Sequence, residues 1–91
     1  MRTLFMEDFM NIAIVEDLIQ DRERVTSCLN RYMEELGLTY HLYTYESAEE
    51  FVEALNTLTF QIVFMDIYLQ GMTGMEAAVC LRRQNRDCKL I

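Results

Sequence analysis

Two apolar runs in this sequence end in carboxylates: Asn11 to Val15 runs into Glu16 and Asp17, and Phe60 to Met65 runs into Asp66. Short apolar runs that stop so abruptly read as strands buried on both faces, with polar groups at their carboxyl ends. If the two strands are neighbours in a parallel sheet, the three acids converge in the crevice beyond the strand ends. Carboxylates within about 4 to 6 Å raise one another's proton affinity, and each pair repels by roughly 4 kcal/mol at an effective dielectric near 20. A divalent cation removes that conflict, and hard oxygens with room for water suit Mg²⁺. Such a site serves phosphoryl transfer, because the metal neutralises charge on the moving group and holds a nucleophilic carboxylate in line with it. Asp66, alone on its strand, is the expected nucleophile. Any one of these acids taken singly would be a solvated loop residue; their joint position at two strand ends carries the argument.

The other reactive side chains have plainer readings. His41 is the only histidine and lies in a stretch that suits an edge strand, so it reads as solvent-facing, without partners for a metal site. Cys28 falls on an apolar helical stripe as a small hydrophobe, whereas Cys88, between Asp87 and Lys89, is a candidate for an exposed, reactive thiol whose environment the sequence does not show. Arg82, Arg83 and Arg86 sit at a helix C-terminus and complement its macrodipole. The seven methionines read as core fillers. Gly71 and Gly74 match no nucleotide fingerprint, and a turn into a helix explains both.

The elements that must position the acids follow from periodicity. Strand one is Asn11 to Val15. From Ile19 to Leu36, apolar residues at Val25, Cys28, Leu29, Tyr32, Met33 and Leu36 mark an amphipathic helix that Gly37 terminates. Thr39 to Tyr45, rich in aromatic and β-branched residues but partly polar, suits an edge strand. Ser47 with Glu50 makes a capping box for a second helix whose face is Ala48, Phe51, Val52, Leu55 and Leu58. Strand three, Phe60 to Met65, delivers Asp66; Thr73 with Glu76 caps a third helix, and Lys89 to Ile91 opens a fourth strand. Strands alternating with helices imply an α/β fold, a parallel sheet with helices on both faces.

With 91 residues and 52% hydrophobic content, the chain has room for one globular domain. Fifteen acidic against eight basic residues give a net charge of −7, which disfavours direct contact with nucleic acid or anionic lipid. Three cysteines without paired spacing, and no signal or membrane segment, point to a reduced cytoplasmic protein. Met1 to Phe9 precedes the regular pattern and reads as an N-terminal extension outside a domain of residues 10–91.

The motifs Ile-Val-Glu16-Asp17 and Phe-Met-Asp66-Ile-Tyr-Leu-Gln-Gly71-Met-Thr-Gly74-Met-Glu76 together resemble the receiver domain of bacterial response regulators, and the likeness extends from Asn11 to Ile91. Strand two and helix two look most like LytR- and AgrA-type receivers, which precede a LytTR DNA-binding domain. The resemblance implies a flavodoxin-like sheet and phosphoryl transfer from a sensor histidine kinase onto Asp66. It implies Mg²⁺ ligation by Asp17 and Asp66, by Glu16 through water and by the backbone carbonyl of Tyr68, and an output domain through which alone DNA is contacted. Gln70 stands where the family often has proline. The family's hydroxyl residue closing strand four, lysine closing strand five and aromatic switch residue fall beyond Ile91, so the expectation is the N-terminal two-thirds of a receiver: three strands, three helices and the start of a fourth strand.

A competing reading is an aspartate-nucleophile, Mg²⁺-dependent phosphatase of the haloacid-dehalogenase type, which wants a second acid two residues past the nucleophile, where Tyr68 stands. A flavin-binding module is disfavoured because Glu16 and Asp17 would repel its phosphate. Strand three is expected to keep a bare hydrogen-bonding edge that recruits a homodimer or swapped oligomer, or leaves the chain marginally folded.

Overall fold

The computed structural model describes residues 10–66, 69 and 72–91. Its elements are β1 (Met10–Val15), α1 (Ile19–Leu36), β2 (Tyr40–Tyr45), α2 (Ala48–Ala54), β3 (Ile62–Met65), α3 (Gly74–Gln84) and β4 (Lys89–Leu90). All strands are parallel in the order β2-β1-β3-β4, so the order reverses between β1 and β3. Register is set by pairing Ile12 with Leu42 and with Ile62, and Val15 with Tyr45 and with Met65. The flavodoxin-like architecture expected from the sequence is therefore present, with helices on both faces.

β1 is the hinge of the packing because its side chains alternate between two cores. Ala13 and Val15 face α2 and α3, where Phe51, Phe60, Val63, Ala77 and Leu81 are fully buried. Ile12 and Ile14 face α1, where among the described residues only Leu29 and Met33 join them as buried residues. The expected stripe of α1 is narrower in the structure than in the sequence. Val25, Leu29 and Met33, four apart, meet the sheet, while Cys28 is exposed and Tyr32 and Leu36 stay more than half exposed. Periodicity fixes which side of a helix faces inward, not how wide a surface lies beneath it.

Local signals explain the ends. Gly37 terminates α1 at φ 68°, a left-handed conformation that glycine adopts without a Cβ clash. Thr73 and Glu76 form the full capping box of α3. At α2 the box is displaced: Ser47 Oγ accepts the Glu50 N–H, but the Glu50 carboxylate accepts the N–H of Glu46, one residue upstream of the cap. β3 starts at Ile62 rather than Phe60, although Phe60 remains fully buried and Gln61 still donates its N–H to Asn11.

One further expectation is corrected, and the environment of Cys88, open in the sequence, is settled. The edge of β3 is not bare, because Lys89 N–H donates to Gln61, Ile91 N–H to Val63 and Met65 N–H to the Ile91 carbonyl. The three residues Lys89 to Ile91 suffice for this since β3 is itself only four residues long. Cys88 is buried, with its thiol pushed above the ordinary range by burial, partly offset by the Arg82 charge. Its charged neighbours Asp87 and Lys89 are exposed, while Cys88, just ahead of β4, joins the core against α2 and α3. Arg82 meanwhile donates to the carbonyls of Arg86 and Cys88, which agrees with its expected place at the helix end. His41 lies exposed on edge strand β2, as expected.

Candidate functional site

At the reversal of strand order, the carboxyl ends of β1 and β3 bring Glu16, Asp17 and Asp66 together, with carboxylate oxygens within 4.8 Å of one another and all three half-buried. The strands dictate this. Asp66 N–H donates to the Val15 carbonyl at 3.2 Å, extending the β1–β3 ladder by one residue into the site. On the other side Glu16 N–H donates to the Tyr45 carbonyl at 3.1 Å, extending the β1–β2 ladder.

The crowding shows in Glu16, whose carboxyl is raised above its ordinary range by burial first. The Leu18 N–H opposes that shift, and the charge of Asp66, a hydrogen bond with it and the charge of Asp17 add to it. Hard carboxylate oxygens gathered this closely are a donor set that fits a divalent cation of the Mg²⁺ class. A hollow of about 300 Å³, with Val25, Phe64 and Ile91 in its lining, opens beside Glu16 and Asp66 on the α1 side.

All three acids expected from the sequence are thus adjacent, while Tyr68, Gln70 and Gly71 lie outside the described residues. Two supporting residues were not foreseen. Arg22 Nη1 donates to the Glu16 carbonyl at 2.9 Å, and its Nη2 lies 3.5 Å from the Glu46 carboxylate. The available signal was a cation in the first turn of a helix, where the dipole favours acids and a base needs a specific partner. Glu49, in the first turn of α2, accepts the Met72 N–H at 2.8 Å and so anchors the chain between Asp66 and α3.

The family model of the response regulator receiver domain matches residues 12–91. This chain belongs to the response regulator receiver domain family. Among solved structures it is similar to the response regulator MaeR bound to beryllium trifluoride, at 26% identity and a TM-score of 0.71, over 91% of this chain and 65% of that one. It is also similar to TrrA of Thermotoga maritima in complex with Mg²⁺ and beryllium fluoride, at 28% identity and a TM-score of 0.70, over 90% of this chain and 66% of that one. TrrA in complex with the histidine kinase ThkA matches at 28% identity and a TM-score of 0.69, with the same coverage of 90% and 66%. The chain therefore spans about 65% of the length of these relatives. No curated protein matches it significantly. No described helix is long and apolar enough to cross a membrane.

Proposed function

We propose that residues 10–91 act as the phosphoacceptor module of a two-component pathway, with Asp66 as the acceptor. The observation that carries this reading is the cluster of Glu16, Asp17 and Asp66 at the strand-order reversal. In the transfer, an Asp66 oxygen bonds to phosphorus as the bond between phosphorus and a kinase imidazole nitrogen breaks, the electron pair leaving with the nitrogen. Water attack on the acyl phosphate then returns the carboxylate and releases inorganic phosphate. Asp17 and Asp66 would hold Mg²⁺ directly, Glu16 through water and the Tyr68 carbonyl as a further ligand, supplying charge neutralisation at the phosphoryl oxygens. That TrrA has been captured with a histidine kinase, and with Mg²⁺ and beryllium fluoride, supports the same partner and cation here. Three cysteines without a disulfide support a reducing, cytoplasmic setting. An output domain controlling transcription is the expected recipient of the signal, and DNA contact belongs to it.

The test is phosphorylation of a complete receiver domain built on this sequence by acetyl phosphate or a phosphorylated kinase domain. Label should appear with Mg²⁺, fade with chelation and vanish in Asp66→Asn. Undiminished label in Asp66→Asn would sink the assignment.

A further inference from the structure

Arg22 is a cation at the end of α1 where the macrodipole favours anions, yet only 13% of its side chain is exposed. Burying a guanidinium requires acceptors, and those it has are all at the acidic rim. One Nη donates to the backbone carbonyl of Glu16, the residue that begins the β1–α1 loop, and the other faces the Glu46 carboxylate in the β2–α2 loop. The Glu16 peptide is consequently held on both sides: its N–H by the Tyr45 carbonyl and its C=O by Arg22. The Glu16 carboxylate then turns back to accept the N–H of Leu18, the N-cap of α1, which has no side-chain cap of its own. The carboxylates of Glu16, Asp17 and Asp66 lie within 4.8 Å of one another, so the position of this loop sets how closely they gather.

We propose that Arg22 is a positioning residue for the acidic site, fixing the Glu16 peptide so that Glu16 and Asp17 stay within reach of Asp66. The part of this that concerns the cation rests on the reading given under the proposed function; the part that concerns the loop does not. Removing Arg22 leaves a partly buried carbonyl without its donor and frees the loop to move. Glu46 is the lesser partner, because 72% of its side chain is exposed.

The experiment uses the full chain and two readouts. Amide hydrogen exchange without metal should show the Glu16 and Leu18 N–H groups of Arg22→Ala exchanging about tenfold faster relative to the Leu29 N–H in mid-helix, a local release. Calorimetric titration with Mg²⁺ alone should show the dissociation constant rising about tenfold in Arg22→Ala, about threefold in Arg22→Lys, and under about twofold in Glu46→Gln. A thermal melt of each variant identifies any that fails to fold, and Arg22→Lys keeps the test available in that event. The inference is overturned if Glu16 and Leu18 exchange keeps pace with Leu29, as uniform destabilisation would give, or if Arg22→Ala binds Mg²⁺ as the parent does. A parent chain that binds no Mg²⁺ would instead refute the cation reading, and the exchange measurement alone would then decide the role of Arg22.

Discussion

Within residues 10–91 the two faces of the sheet are covered to different extents. On the α2–α3 face, Tyr43, Tyr45, Phe51 and Phe60 form an aromatic cluster with ring centroids 5.6 to 6.2 Å apart, and Phe51, Phe60, Val63, Ala77 and Leu81 are inaccessible to solvent. On the α1 face, Ile62 and Phe64 of β3 are only partly covered, and the hollow beside the acids opens on that side. The helix that carries the β1–α1 loop therefore rests on the looser core, while the loop after Asp66 leads into a helix seated on the tighter one.

The comparison breaks most directly in the cores. Phe60→Ala should destabilise the chain by about 3 to 5 kcal/mol, because it removes a ring packed on three others and leaves a cavity the cluster cannot close. Met33→Ala on the α1 face should cost nearer about 2 kcal/mol, since that side is open enough to relax. Urea melts of both variants decide the matter: equal costs would show that the two faces are packed alike. A loss on the Phe60 scale is a large fraction of the stability of any small domain.

A smaller effect sharpens the contrast at the rim. Carboxylates within 4.8 Å of one another repel even when half-exposed, by about 1 kcal/mol if water's dielectric governs. Asp66→Asn should therefore stabilise the metal-free chain by about that amount, opposite in sign to an ordinary site mutation. Adding Mg²⁺ should raise the melting temperature of the parent by mass action and narrow or reverse the gap. A metal-free Asp66→Asn chain that melts lower than the parent would mean that the acids are not in conflict.

How much of this could be read beforehand depends on which physical quantity each residue expresses. Glu16, Asp17 and Asp66 were legible because an apolar run that stops fixes where a buried strand ends, and parallel pairing then brings the ends together. Gly37 and the Thr73–Glu76 box were legible because caps are local chemistry. Tyr32, Leu36 and Cys28 misled, since the stripe on α1 is wider than the sheet it covers. The burial of Cys88 was not legible, because charged neighbours in the sequence say nothing about the residue between them. Arg22 offered only the signal of a cation in the first turn of a helix, and Glu49 offered none, because the backbone groups of Glu16 and Met72 that they meet are announced by no side-chain pattern.

Glu49 supplies the smallest effect, and it contrasts with Glu16 in sign. Glu49 carries its charge into the Met72 N–H and its own N–H, which hold its carboxyl below the ordinary range, whereas burial and then Asp66 push Glu16 above it. A lowered carboxyl contributes stability above its ordinary value that disappears as pH falls through the folded value; a raised one contributes below its ordinary value and is lost as pH rises through the folded value. Replacing Glu49 by alanine should thus remove a contribution present at neutral pH, and parent and variant should converge in acid. The effect is local because Glu49 is fully exposed and its partner is a single N–H. Met72 amide exchange at neutral pH should quicken roughly threefold in Glu49→Ala, with the Leu81 amide inside α3 unaffected. Identical Met72 exchange in parent and variant across the pH range would show that Met72 is held in place without help from α2.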